Sequence, residues 1–260
     1  MVSMKSGLPI DQMVDTVWQG IQRGRHYPAE LRGKLSLDEA YRVQLGLLAC
    51  YERTGEQQAG WKVGLTAPAM QAQQGVYEPV FGFLLQSGQR STGATFACAS
   101  LIHPGFENEL CVTVGTTLTG PGVTLEQARS AIAQVAPALE IVEKRGDLRG
   151  DLALGLADNI QQRAFVTGVA VPLGALDLAE VTLDLTVNGV VQERARGAEV
   201  LGTPVASIAW LANKLAEFGL SLEAGMCVMS GSFTKQYAVN RGDAVHAQFE
   251  PVGPVRAEFR

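Results

Sequence analysis

Glu107 and Glu109 stand two residues apart in FENELCVTV, residues 106–114, where apolar and polar positions alternate. In an extended strand, successive side chains point to opposite faces. Leu110, Val112 and Val114 then share one face, and Glu107, Glu109, Cys111 and Thr113 share the other. The two carboxylates would lie roughly 6.5–7 Å apart, a spacing that repels unless a cation or water intervenes. A third carboxylate, Glu140, sits inside the otherwise apolar run APALEIV, residues 136–142. A carboxylate in that setting must be paired, hydrogen-bonded or metal-bound, because an isolated buried charge is very costly. If the strands carrying these residues are neighbours, Glu107, Glu109 and Glu140 converge. Three oxygen donors without imidazole or thiolate suit a hard ion, Mg²⁺ or Mn²⁺, rather than zinc.

Lys62, in the glycine-flanked stretch GWKVGLT at residues 60–66, supplies a cation. Trp61, Val63 and Leu65 suggest a strand whose other face is packed, which turns the lysine toward the acidic cluster; the alternative is a lysine snorkelling at a strand edge. Gly231, Ser232, Phe233 and Thr234 offer amides and two hydroxyls at a strand end, for a substrate carboxylate or simply for a turn. No G-x-S-x-G elbow, phosphate-binding loop or dinucleotide fingerprint is present. Of the three histidines, His246 alternates with Ala244, Gln248 and Glu250 on what reads as a solvated strand face.

The elements that position these groups are readable. Residues 10–22 carry Met13, Val14, Val17 and Ile21 at helical spacing. Ser36 and Glu39 form a capping box for a helix running to a stop near Gly55, and Thr124 and Gln127 form another, for a helix through Ile132 and Ala133. Strands are expected over residues 106–114, 135–142, 164–171 and 181–187, the last followed by an Asn188-Gly189 hairpin turn. Thr203-Pro204 opens a helix with the stripe Ile208, Leu211, Leu215 and Phe218, which Gly219 stops. Short strands follow over residues 226–230, 237–239, 244–249 and 255–259. The expected architecture is α+β, with a helical N-terminal segment over residues 1–60 and a β-rich catalytic domain over residues 61–260. Gly24 to Pro28 joins two helices, and His26 or Tyr27 could close over a bound substrate as a lid.

Composition narrows the class. The chain has 260 residues, 47% hydrophobic and 18% charged, with a net charge of −5. So few charges make a buried subunit interface, hence a homo-oligomer, plausible. The acidic balance and the lack of a basic cluster argue against a nucleic-acid partner. No apolar run approaches a bilayer span, and residues 1–15 lack the apolar core of a signal peptide. Cys50, Cys98, Cys111 and Cys227 are widely spaced and read as small buried hydrophobes of a reducing compartment, which suits a cytoplasmic protein.

The motifs GWKVGLT, YEPVFGFL, HPGFENEL, PALEIVEKR, LADN, GAEVLGTPVASIAWLANKLAEFG and MSGSFT occur in this order from residue 60 onward. In order and spacing they resemble the 2-keto-4-pentenoate hydratase and 4-oxalocrotonate decarboxylase group of the fumarylacetoacetate hydrolase superfamily. The resemblance implies a β-rich roll and a divalent ion on Glu107, Glu109 and Glu140. It implies Lys62 as the active-site lysine and a substrate pocket including Leu65, Val80, Ser232 and Phe233. The expected reaction is addition of water to a 2-hydroxy-2,4-dienoate (2-oxopent-4-enoate type) in aromatic catabolism, giving a 4-hydroxy-2-oxo acid. The alternatives are decarboxylation of 4-oxalocrotonate (2-oxohex-3-enedioate), C–C bond hydrolysis, and a non-catalytic homologue. Val80 stands where the hydratases often carry an acid, and Ile160-Gln161-Gln162 replace the small residues usual after LADN.

Overall fold

The computed structural model describes residues 7–260. The first six residues of the expected helical segment, where the reading of a start without an apolar leader begins, lie outside the described residues. Two helices come first, α1 (Ile10–Gln22) and α2 (Leu37–Arg53). The Ser36–Glu39 box caps α2 as the sequence requires: the Ser36 hydroxyl accepts from the Glu39 amide, and the Glu39 carboxylate accepts from the Ser36 amide. Next come β1 (Gln58–Gly64), α3 (Pro68–Gln74), β2 (Val80–Leu85), β3 (Gln89–Ser91), β4 (Ala94–Phe96) and β5 (Pro104–Val114). Then follow α4 (Leu125–Ala131), β6 (Ile132–Glu143), α5 (Leu152–Ala157), β7 (Gln162–Thr167), β8 (Val171–Pro172), β9 (Thr182–Val187) and β10 (Val190–Arg196). The chain ends with α6 (Pro204–Ala216), β11 (Cys227–Met229), β12 (Tyr237–Ala238), β13 (Ala244–Glu250) and β14 (Gly253–Phe259).

One sheet runs in the order β2-β1-β11-β5-β6-β7-β3, with β12 on β5 and β8 on β6. It curls until its strands β2 and β7 lie against each other. Strand alternation gives this curl two different faces. Inside, Leu84, Cys111, Ala136, Ala138, Phe165 and Met229 form a small buried cluster. Outside, Trp61, Val63, Phe81, Leu110, Val112, Leu139 and Ile141 join the main core with Met13, Val14 and Val17 of α1 and Val43 and Leu47 of α2. The N-terminal helices therefore share one continuous core with the sheet. The second sheet, β10-β9-β13-β14-β4, adds Leu183, Val245, Phe249, Val255 and Phe259 to that core.

Several expectations are corrected. Helix α4 stops at Ala131, because Ile132 opens the long strand β6 instead of continuing the helix. The strand expected over residues 164–171 breaks after Thr167, where Gly168 is wedged against Pro137 and the Pro254 carbonyl. His246 is half-buried rather than solvated, with its Nε2 lacking a hydrogen-bond partner; burial and the nearby Arg256 push its pKa down. All four cysteines are free, but Cys98 and Cys227 are only half-buried. Among the described residues, no helix is long and apolar enough to cross a membrane.

Candidate active site

The antiparallel register of β5 and β6 places Glu107 directly opposite Glu140, and Glu109 opposite Ala138. Opposed residues share a face, so the three carboxylates meet on the inside of the curl. One oxygen from each of Glu107, Glu109 and Glu140 lies within 4.8 Å of the others. Glu109 and Glu140 are fully buried, and Glu107 is half-buried. Lys62 lies on the same inner face, since β1 pairs with β11 and β11 with β5, so that Lys62, Met229 and Cys111 form one row. Its Nζ stands 3.3 Å from Oε1 of Glu140, and the side chain is only 4% exposed. Its strand neighbours Trp61 and Val63 are buried in the outer core, the arrangement that turns the lysine inward.

The electrostatics are those of a site short of positive charge. Burial, and then the Glu140 carboxylate, push Glu107 up to about 7 while Lys62 pulls it down. Burial and both neighbouring carboxylates push Glu109 well above the usual range, against the pull of the Gly231 amide and Lys62. Glu140 is also raised by burial, with Lys62 as the main opposing influence. Oε1 of Glu109 and Oε2 of Glu140 are buried without a hydrogen-bond partner, and Oε1 of Glu140 has the Lys62 ammonium at 3.3 Å. Buried carboxylate oxygens without donors are costly, and a hard cation is the partner that this all-oxygen set fits.

The GSFT loop holds this cluster in shape. The Gly231 amide donates to Oε2 of Glu109 at 2.7 Å. The Asn108 amide donates to the Ser232 hydroxyl at 3.3 Å, the Phe233 amide to the Asn108 carbonyl at 2.8 Å, and the Asn108 side-chain amide to Thr234 Oγ1 at 2.8 Å. The loop is thus laced to the residue between the two strand carboxylates. Gly231 has φ +108°, and a Cβ there would lie 2.5 Å from the Thr66 methyl, so only glycine fits between the loops after β1 and β11. Phe233 turns its ring into the core against Phe249 rather than toward the carboxylates, because the loop's backbone bonds to Asn108 fix it facing that way. Leu65 sits at φ +54° where the chain leaves β1. Val80 is buried beside the lysine: a Cβ built on Gly64 would touch Val80 Cγ2 at 3.5 Å and Lys62 Nζ at 3.6 Å.

His26 and Tyr27 are placed differently from the expected lid. Tyr27 is buried, its ring over Gly146, and His26 Nδ1 lies 3.1 Å from Asp158 Oδ2. Asp158 also pairs with Arg145, which is buried and bonded to the carbonyls of Asp158 and Gln162. His26, Arg145, Asp158 and Gln162 border a cavity of about 380 Å³ that none of the four cluster residues lines. The joint is fastened because distant glycines leave the tyrosine ring its slot. The sequence reading also missed Asn108, Gly82 and Asn159; the Asn in LADN was the one available signal.

A curled sheet presenting two buried carboxylates, a half-buried third and a lysine defines the class: a β-roll with an acidic centre of divalent-cation type. The chain belongs to the fumarylacetoacetate hydrolase family, whose C-terminal-domain model matches residues 63–260. It is 35% identical over 228 residues to a 4-oxalocrotonate decarboxylase of Pseudomonas putida, covering 87% of this chain and 86% of that one. It is 34% identical over 230 residues to a 2-hydroxyhexa-2,4-dienoate hydratase of Comamonas testosteroni, covering 87% of each. The solved 4-oxalocrotonate decarboxylase from Pseudomonas putida G7, complexed with magnesium and adipate, superposes with a TM-score of 0.92 at 32% identity, over 97% of this chain and 99% of that one.

Proposed function

We propose that this protein is a divalent-metal-dependent hydro-lyase of aromatic catabolism, adding water to a 2-hydroxy-2,4-dienoate to give a 4-hydroxy-2-oxo acid. The observation that carries the reading is the convergence of Glu107, Glu109 and Glu140 beside Lys62, with Oε1 of Glu109 and Oε2 of Glu140 buried without a donor. In this reading the three carboxylates hold Mg²⁺ or Mn²⁺, in keeping with the magnesium of the superposed decarboxylase. When bound, the ion supplies Lewis acidity to the substrate's carboxylate and C2 oxygen. Three carboxylates and a dication sum to −1, and the substrate adds at least one negative charge. The Lys62 ammonium offsets that charge and has N–H groups to give to the developing enolate oxygen. The Gly231 amide keeps Glu109 oriented, and the apolar Val80 helps exclude bulk water beside Lys62. Loss of the C2 hydroxyl proton with protonation at C5 gives the α,β-unsaturated 2-oxo acid, and water then adds its hydroxyl at C4 and a proton at C3 to give the 4-hydroxy-2-oxo acid.

A decarboxylase is the second reading, favoured by Val80, which can neither donate nor accept a proton, and by the relationship to the Pseudomonas putida enzyme. Incubation with Mg²⁺ and freshly generated 2-hydroxypenta-2,4-dienoate should remove the diene absorbance and yield 4-hydroxy-2-oxopentanoate. Release of CO₂ from 2-oxohex-3-enedioate, with the dienoate left untouched, would replace the first reading by the second. We also propose that the segment up to residue 60, whose described helices are α1 and α2, covers the catalytic unit 61–260, and that the protein is a cytoplasmic homo-oligomer. Size-exclusion chromatography with light scattering tests the last, and a monomer at micromolar concentration would refute it.

A further inference from the structure

The curl of the main sheet is not closed by strand pairing. At the seam between β2 and β7, the Phe83 amide donates to Oδ1 of Asn159 at 2.8 Å, and Nδ2 of Asn159 donates back to the Phe83 carbonyl at 3.0 Å. One side-chain amide thus takes the place of a neighbouring strand. Beside it, Gln44 of α2 donates to the Phe81 carbonyl at 3.1 Å and to the Leu156 carbonyl at 2.9 Å. Gly82 lies between these two tethers. It is opposite Lys62 in the β1–β2 register, so it shares the lysine's inner face. A Cβ built on Gly82 would lie 2.8 Å from Oδ1 of Asn159, 3.0 Å from Cγ2 of Ile160 and 3.3 Å from Cε of Lys62. The lysine stem and the isoleucine methyl therefore border the same point.

The backbone that delivers Ile160 there is strained. Asn159, Ile160 and Gln161 have φ of +56°, +42° and +65°, three consecutive left-handed residues, and the middle one is β-branched. Asparagine tolerates that region; isoleucine does not, and it persists only because the surroundings impose it. The turn is fixed from behind by Arg145, which donates to the Asp158 carbonyl at 2.6 Å and pairs with the Asp158 carboxylate.

We propose that the turn Asn159–Gln161 is the positioning element for Lys62: Asn159 closes the seam, and Ile160 packs over Gly82 to hold the lysine stem so that its ammonium stays at Glu140. Ile160 is a positioning residue, not a catalytic one. The proposal rests on the hydratase reading only for its kinetic readout; the placement of Lys62 can be read without any substrate.

The test uses Ile160→Gly, Ile160→Ala and Ile160→Val in the full chain. Glycine accepts positive φ, so Ile160→Gly should melt no lower than Ile160→Ala. Acylation of Lys62 by an N-hydroxysuccinimide ester, followed by peptide mass spectrometry, should nonetheless accelerate about fivefold or more in the glycine variant, because a loosened stem leaves its shielded place. With the dienoate, kcat should fall about tenfold while KM stays within about threefold, and Ile160→Val should recover most of kcat. Unchanged Lys62 acylation in Ile160→Gly overturns the proposal, as do kcat losses that simply follow the melting temperatures across the three variants. An inactive wild type would count against the hydratase reading alone, since the acylation rates would still decide the placement.

Discussion

Removing divalent cation with EDTA should lower the thermal midpoint by about 5–10 °C at pH 8, and by clearly less at pH 6. The magnitude follows from the cluster. Carboxylate oxygens within 4.8 Å repel by about 3 kcal/mol per pair at an effective dielectric constant near 20, so three ionised groups carry about 10 kcal/mol. Lys62, at 3.3 Å from Glu140, returns about 5 kcal/mol of this. Burial first, and then this remaining repulsion, hold Glu107 up to about 7 and Glu109 well above its usual range. Because these folded-state values exceed the unfolded ones, the stability the carboxyls contribute is fully present below about 4.5 and is lost as pH rises through about 7. A cation at a hundred times its Kd contributes about 2.7 kcal/mol, and about 2–4 °C per kcal/mol is usual at this chain length. The assay is differential scanning fluorimetry with EDTA against saturating Mg²⁺ at both pH values. Equal midpoints at pH 8, or a larger metal effect at pH 6, would refute the reasoning.

Other variants probe the same frame. Lys62→Met should keep fold and Mn²⁺ binding but lower turnover about 10²-fold, as for loss of one preorganised donor; wild-type turnover would remove the lysine from the mechanism. Glu109→Gln should weaken Mn²⁺ affinity and cut activity well over tenfold, measured by calorimetry and the diene assay, and unchanged metal dependence would remove the site. Gly231→Ala should cost about 1–3 kcal/mol, because the left-handed φ and the clash with Thr66 both disfavour a Cβ, and should weaken metal binding by releasing Glu109. Arg145→Met should cost about 3–5 kcal/mol in urea unfolding, since Glu143 and Asp158 lose their buried partner; a loss below 1 kcal/mol would contradict the pairing seen.

The carboxylate centre was legible because two simple signals coincide. Alternation put Glu107 and Glu109 on one face, and an apolar setting marked Glu140, so only the pairing of their strands had to come from the fold. Helix caps at Ser36, Thr124 and Thr203 were equally local and hold in the structure. What escaped is long-range. Asn159 acts as a strand substitute for residues 76 positions earlier, which no local pattern encodes. Tyr27 looks like a turn residue, yet Gly146 and Gly155, far along the chain, leave its ring room to be buried. Ile132 reads as helix because its neighbours do, and the pull of β5 on β6 decides otherwise.

Leu84, Cys111, Ala136, Ala138, Phe165 and Met229 make up the inner cluster. It fills the curl alongside the carboxylates like a plug, leaving Glu107 as the cluster carboxylate with partial exposure. The acidic centre is then anchored in the packed interior of the curl, while Leu65 and Val80 sit where the chain leaves β1 and enters β2, positions that can change without disturbing the carboxylates. Chemistry and selectivity are separately evolvable in such a design. A lineage can exchange one dienoate for another, or hydration for loss of CO₂, by rewriting a few loop side chains around an inherited acidic centre.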